Sequence, residues 1–347
     1  MSVLASLAAG AALVTYTALE TYTFEVDEKH LSSPDIPPNF DNVRIVFLSD
    51  IHHGVFINRR TLARIIKKVQ FLQPHLLLLG GDYVQSKMSP EKEMACLQGV
   101  FNQIKEIKAP LGKFGVLGNH DLDEVGAEAA YAAMNSAGVR PLDNQATWIW
   151  KGFQRIRLGG VGDLTYDTQD IEATLKGTNL HDYIILLSHQ PTYVDELQQK
   201  KIDLMLTGHT HGSQAIPFPL PFSVKGLITK GRVKGWLQVG PTTLLISRGL
   251  GVEFPFIRLL NQPQMHLITL HHEAAPTLLK NPTKKEKEDQ ELRDQLAQVL
   301  DKYRQRRRFY PPNPFKAFFQ PKPAAKPKPV VKPEPEPKPP KVKPPKK

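Results

Sequence analysis

The sequence predicts an α/β sandwich, two central mixed sheets flanked by helices. Three observations predict it. Short apolar runs without polar alternation recur up to residue 211, each bounded by Gly, Ser or Thr, the pattern of strands buried on both faces. Helix-like stretches alternate with them, and strand–helix alternation implies parallel crossovers. Beyond residue 211 strand-like runs follow one another and read as antiparallel.

Taken in order, the buried strands are expected at residues 43–48, 76–79, 114–117, 184–187 and 204–206. Helices are expected at 59–70, 91–107, 124–136, 171–175 and 193–199, and antiparallel strands at 235–239, 242–246 and 265–270.

Each of the five buried runs leads into a segment rich in metal-ligand residue types: Asp50-Ile51-His52, Gly80-Gly81-Asp82, Gly118-Asn119-His120-Asp121, Ser188-His189 and Gly208-His209-Thr210-His211. Ligands at the carboxyl ends of parallel strands converge on one rim of the sheet. Carboxylates, an amide oxygen and imidazoles in this number suit two divalent cations that share one ligand. Such a pair, about 3.5–4 Å apart, clamps a phosphoryl group and activates a water. Imidazoles favour Mn, Fe, Co, Ni or Zn over Ca or Mg. The chemistry points to a hydrolase of phosphate esters.

The order D-x-H, G-D, G-N-H-D, a lone His after a strand, and G-H-x-H resembles the calcineurin-like metallophosphoesterase superfamily over about residues 44–270. The resemblance implies a four-layer α-β-β-α sandwich of two mixed sheets. It implies that Asp50, His52 and His211 hold one metal, that Asn119, His189 and His209 hold the other, and that Asp82 bridges them. His120 would be a non-ligand general acid or oxyanion stabiliser held by Asp121. Protein serine/threonine phosphatases of this type continue past the bridging Asp with an Arg that grips phosphate, whereas here Tyr83-Val84-Gln85-Ser86-Lys87 follows. The chain looks nearer a bacterial-type membrane-associated subgroup containing UDP-2,3-diacylglucosamine pyrophosphatase-like phosphodiesterases. The S-D-x-H-x-G start at Ser49, Ser188-His189-Gln190-Pro191 and Ser247-Arg248-Gly249-Leu250-Gly251 support that placement. The leading reading is a membrane-associated phosphodiesterase or pyrophosphatase acting on a nucleotide-linked lipid. A soluble-substrate phosphomonoesterase or nucleotidase, and a membrane-tethered binding protein, are the alternatives.

Other residues have plainer readings. His53 reads as a substrate contact beside His52 or, on an extended segment, as a side chain on the opposite face. Arg248 reads equally as a phosphate ligand or a surface ion pair. Asp163 reads as a loop acid or helix cap. His30, His75, His181, His266, His271 and His272 read as surface or strand histidines. The Pro- and Phe-rich stretch 216–222 and the loop 253–256 would make an apolar wall for a lipid-bearing substrate, or ordinary loop packing.

The chain has 347 residues, 41% hydrophobic, ample for a sizeable core, and a single cysteine, Cys96, which excludes an internal disulfide framework. The net charge of +11 resembles a nucleic-acid signature, but its distribution argues otherwise. Residues 273–347 hold 20 Lys+Arg against 9 Asp+Glu, so the preceding body is neutral and no nucleic acid is expected as partner. Residues 2–19 carry no charge, and the segment 1–21 reads as a membrane anchor or membrane-lying helix, with a signal sequence or a soluble helix as alternatives. Localisation is therefore expected at a membrane, on a side the flanking charges do not set; exported or cytoplasmic protein is the alternative. The phosphoesterase domain is expected over 22–272 and a charged amphipathic helix over 283–310. A disordered Pro/Lys-rich tail over 311–347 would meet an acidic partner or polymer, or act as a spacer.

Overall fold

The computed structural model describes residues 3–214, 231–254 and 256–274; the expected 283–310 helix, the 311–347 tail and the 216–222 stretch lie outside them. Met1–Pro276 forms one compact unit. In chain order the elements are α1 (Val3–Tyr22), β1 (Glu25–Ser33), β2 (Val43–Leu48), α2 (Arg59–Leu72), β3 (Leu76–Leu79), α3 (Pro90–Lys105), β4 (Lys113–Gly115), α4 (Ala127–Ser136), β5 (Val139–Pro141), β6 (Gln145–Lys151), β7 (Gln154–Gly160), α5 (Glu172–Leu175), β8 (Ile184–Leu187), β9 (Leu204–Thr207), β10 (Gly235–Val239), β11 (Thr242–Ile246) and β12 (Gln264–His272).

Two six-stranded mixed sheets result, ordered β1-β12-β2-β3-β4-β5 and β10-β11-β9-β8-β7-β6. The period-2 geometry of a strand explains why the apolar runs lack alternation. Ile45, Phe47, Leu76 and Leu78 of the first sheet face Ile185, Leu187, Leu204 and Leu206 of the second in a single core. Their neighbours Val46, Leu48, Leu77 and Leu79 turn the other way, onto α2, α3 and α4. On the far side of the second sheet, Ile184, Leu186 and Met205 pack on Tyr193, Val194 and Leu197. Four layers, helix, sheet, sheet and helix, follow from this double burial.

Helix α2 starts at Asn58, whose side chain accepts the N–H groups of Arg60 and Thr61, and buries Leu62, Ile65, Ile66, Val69 and Leu72. Several sequence expectations need correction. The apolar run 114–117 pairs only as far as Gly115, because the chain leaves the sheet to form the Asn119 turn. The expected helix at 124–136 begins at Ala127, after a π-helical turn over Asp121–Val125. The expected helix at 193–199 is instead a 3-10 segment, Pro191–Leu197. The strands past residue 211 are only partly antiparallel: β11 runs parallel to β9, and β12 is antiparallel to β2 but parallel to β1. Strand β1 escaped the sequence reading because its charged residues and partly exposed pattern belong to a sheet edge.

Candidate metal centre

The ligand-type side chains stand on one rim, where five strands end. Asp50 and His52 follow β2, Asp82 follows β3, Asn119 and His120 follow β4, His189 follows β8, and His209 and His211 follow β9. Asp50 (φ 51°), His52 (φ 44°), Asp82 (φ 55°), His209 (φ 69°) and His211 (φ 51°) have left-handed backbone, which costs free energy at each non-glycine position and persists only where surroundings enforce it. The enforcement is visible: Asp50 N donates to Gly81 O at 2.9 Å, His52 N to Asp82 O at 3.1 Å, and Gly251 N to Asp50 O at 2.6 Å. Two glycines are needed for close approach rather than for their torsions. A Cβ on Gly118 would lie 2.2 Å from Asp82 Oδ1, and one on Gly208 would lie 2.2 Å from Asp50 Oδ2.

The side chains form two clusters joined by Asp82. In the first, the Nε2 atoms of His52 and His211 face each other at 3.1 Å, and Asp50 Oδ1 is 3.5 Å from His211 Nε2. In the second, His209 Nδ1 lies 3.3 Å from His189 Nε2 and 3.0 Å from Asn119 Oδ1. Asp82 Oδ2 stands between them, 3.6 Å from His52 Nε2 and 3.1 Å from His189 Nε2.

Hydrogen bonding leaves these donor atoms aimed inward. His52 Nδ1 donates to Val84 O (3.2 Å) and His189 Nδ1 to Gly80 O (2.7 Å), so the Nε2 lone pair of each ring faces the cluster. The N–H groups of His209 and His120 hold Oδ1 of Asp50 (2.9 Å) and Asp82 (3.0 Å), and Oδ2 of both carboxylates is buried without a hydrogen-bond donor. Buried nitrogen and oxygen atoms that converge in this way fit a pair of divalent cations. Asp50, His52 and His211 would hold one cation and Asn119, His189 and His209 the other, with Asp82 shared. When bound, the pair supplies Lewis acidity toward phosphoryl oxygens and an activated water.

The same field shows in the proton affinities. Burial raises the Asp82 carboxyl, but the facing His189 and His52 rings overcome it and hold it below the usual carboxylate range. Burial lowers His189, yet Asp82 and Asp50 push it up to about 10. Asp50 is raised, by burial first and by the Asp82 charge. The carboxylates thus call for positive charge at the positions where cations fit.

His120 lies edge-on to His52, ring centres 5.2 Å apart. Asp121 does not hold its ring as the sequence implied. The Asp121 carboxylate is buried and taken by the backbone N–H groups of Asp82, Tyr83 and Gly118 (2.8, 2.8 and 2.9 Å), which makes it the brace of two ligand-bearing turns. The group on the His120 ring is Glu253, whose Oε1 is 2.6 Å from Nε2. Burial lowers His120, and this hydrogen bond with the Asp82 charge pushes it up to about 9. No local motif marks Glu253, since it reaches the centre on a loop more than forty residues after His211.

Other expected residues lie elsewhere. The Arg248 guanidinium pairs with Glu25 and Gln264, so the ion-pair reading describes it. His53 Nδ1 donates to Ile57 O, away from the ligands. Asp163 is a buried loop acid that accepts the N–H groups of Thr165 and Tyr166. Asp27 and Ser247 bind His266, and His271 stacks on His30. The sequence reading also missed Arg258, fully buried, whose guanidinium donates to the carbonyls of Arg248, Gly249, Gly251 and Asn261. The Asn261 side chain in turn donates to His211 O at 2.6 Å.

Residues 43–213 match the family model described as calcineurin-like phosphoesterase. An uncharacterised metallophosphoesterase of Aquifex aeolicus (strain VF5) is 30% identical over 266 residues, covering 74% of this chain and 96% of that one. The phosphodiesterase YaeI of Escherichia coli (strain K12) is 31% identical over 237 residues, covering 65% and 82%. A protein of Danio rerio named transmembrane protein with metallophosphoesterase domain is 30% identical over 197 residues, covering 53% of this chain and 44% of the relative.

Proposed function

The chain belongs to the calcineurin-like metallophosphoesterase family and is a metal-dependent phosphoesterase, and from that premise we propose that it hydrolyses phosphodiester or diphosphate bonds in lipid-bearing substrates at a membrane surface. The observation that carries the reading is the apolar rim of the centre. Val55, Phe254, Ile257 and Leu260 are exposed beside the ligand-bearing turns, and Phe56 stacks on Phe256 at 4.9 Å. The uncharged N-terminal segment leads to the same place. Glu20, in the last turn of α1, accepts the N–H groups of Leu260 (2.8 Å) and Asn261 (2.6 Å), and Leu19 beside it is exposed. Among the described residues no helix is long and apolar enough to cross a membrane. The proposed mode is contact of the uncharged N-terminal segment and the apolar rim with the lipid. The phosphodiesterase named in E. coli and the membrane protein named in zebrafish support the two halves of the proposal.

In the proposed reaction His120 presents Nε2 toward the leaving oxygen and gives it a proton, while Asp121 holds the turns that carry Asp82 and Asn119. A substrate screen tests this. Long-chain lipid diphosphates in vesicles, their short-chain soluble analogues and bis(p-nitrophenyl) phosphate are offered with Mn, Zn, Ni or Fe to wild type, Asp82→Ala and His120→Ala. The expected result is turnover that favours the long chain, abolished in Asp82→Ala and reduced about 10²–10⁴-fold in His120→Ala. Equal turnover of long and short chains would reject the lipid surface. Wild type as inactive as Asp82→Ala under every metal would reject the enzyme.

A further inference from the structure

Glu253 stands beside His120 Nε2, the atom that a phosphoryl oxygen must approach. Its Oε1 is 2.6 Å from His120 Nε2, its Oε2 is 3.9 Å from His211 Nε2, and its carboxylate converges with His52 and Asp82 within 4.8 Å. The other ring nitrogen, His120 Nδ1, is buried, so Nε2 is the atom through which this ring meets a substrate.

The carboxylate is held there by construction. Gln214 clamps the Glu253 backbone on both sides, accepting its N–H at 2.9 Å and donating to its carbonyl at 2.7 Å. Gln214 is buried, in left-handed backbone (φ 42°), three residues past His211. The segment that supplies two ligand histidines therefore also fixes the backbone that carries Glu253. Only 22% of the side chain is exposed, which limits the water available to screen its charge.

We propose that Glu253 is a specificity-determining residue that makes the centre favour phosphodiesters over phosphomonoesters. The proposal rests on the phosphodiesterase reading above and deepens it. A monoester carries close to two negative charges at neutral pH, its second ionisation falling near pH 6, whereas a diester carries one. Both must bring phosphoryl oxygens to His120 Nε2, so the fixed carboxylate opposes the monoester by one further unit of charge. At about 4 Å and an effective dielectric of about 20, one unit of charge shifts an equilibrium by far more than tenfold. Partial exposure reduces this, and about tenfold is the expected discrimination.

The test compares metal-loaded wild type, Glu253→Gln and Glu253→Asp on bis(p-nitrophenyl) phosphate and p-nitrophenyl phosphate, with metal content and the calorimetric affinity for inorganic phosphate measured alongside. Glu253→Gln keeps the shape and an acceptor for His120 but loses the charge. It should retain its metals, lower the diester-to-monoester ratio of kcat/KM about tenfold, and bind inorganic phosphate more tightly by a similar factor. Glu253→Asp keeps the charge and should stay near the wild-type ratio. An unchanged or raised ratio in Glu253→Gln, unchanged phosphate affinity, or loss of metal, which would make Glu253 a ligand, overturns the proposal. If wild type cleaves neither ester, the functional reading fails, while the phosphate titration still decides the role of Glu253.

Discussion

Asp50, His52 and His211 all sit in left-handed backbone, whereas of Asn119, His189 and His209 only His209 does. The first half of the centre is thus held in torsions its residues do not favour, and the second hangs mostly on relaxed strand ends. The supports differ accordingly. Around the first half, the loop after β11 does the bracing: Leu250 N donates to Ser49 O, Gly251 N to Asp50 O, and Asn261 Nδ2 to His211 O. Around the second half the braces come from nearby turns. Asp143 accepts Leu117 N–H at 2.9 Å and Asp121 accepts Gly118 N–H. The contrast teaches that the first ligand set leans on the loop after β11 as well as on the turn after β3, whereas the second is braced by Asp121 and Asp143.

Arg258 is the strongest lever on this difference. Arg258→Met would take the guanidinium donor from the carbonyls of Arg248, Gly251 and Asn261, while Gly249 O keeps the Gln264 N–H. Urea unfolding should show a loss on the order of 3 kcal/mol. Metal should leave the first half before the second, seen as unequal anomalous scattering at the two positions. Equal loss from both would erase the proposed asymmetry.

Asn261→Ala acts on one contact. It removes the side-chain donor from the His211 carbonyl, which keeps the Gln214 N–H, and should weaken the first metal about tenfold while sparing the second, as changes around a ligand commonly do. Calorimetric titration that resolves two binding steps checks it, and a shift in the tighter and weaker steps alike would contradict it.

The remaining prediction concerns the second half and is a matter of pH. Burial raises the Asp143 carboxyl to about 7, against the pull of the Leu117 N–H. The fold then keeps a proton that the unfolded chain releases near pH 4. The stability contributed is full below about pH 4 and is lost as pH rises toward 7. Asp143→Asn keeps an acceptor for Leu117 but cannot ionise, so its Tm should vary less than that of wild type between about pH 4 and 7. Parallel Tm curves for the two proteins would show that Asp143 does not carry this dependence.

Much of this was legible in the residues. The runs at Val43–Leu48, Leu76–Leu79 and Ile184–Leu187 announce doubly buried strands because both of their faces are apolar, and the structure buries them so. The short segments after them hold the residue types that metals take, and the structure gathers those residues on one rim. The edge strands β1 and β6 were not legible, since an edge needs no apolar pattern. The role given to Asp121 failed for a related reason: adjacency in a motif does not say which neighbour a carboxylate will bind.

By itself, the sequence determined the strand-end placement of the ligands, the two-cation chemistry and the location of the positive charge outside the neutral body. These follow from local composition and order, which act over a few residues. Only the tertiary structure decided that Glu253 rather than Asp121 meets His120, that Arg258 and Asn261 brace one half of the centre, and that Glu20 brings the N-terminal helix to its rim. The contacts of Glu253, Asn261 and Glu20 join residues 50 to 240 positions apart. Nothing in a local pattern sets such distances; the packing of two sheets against each other does.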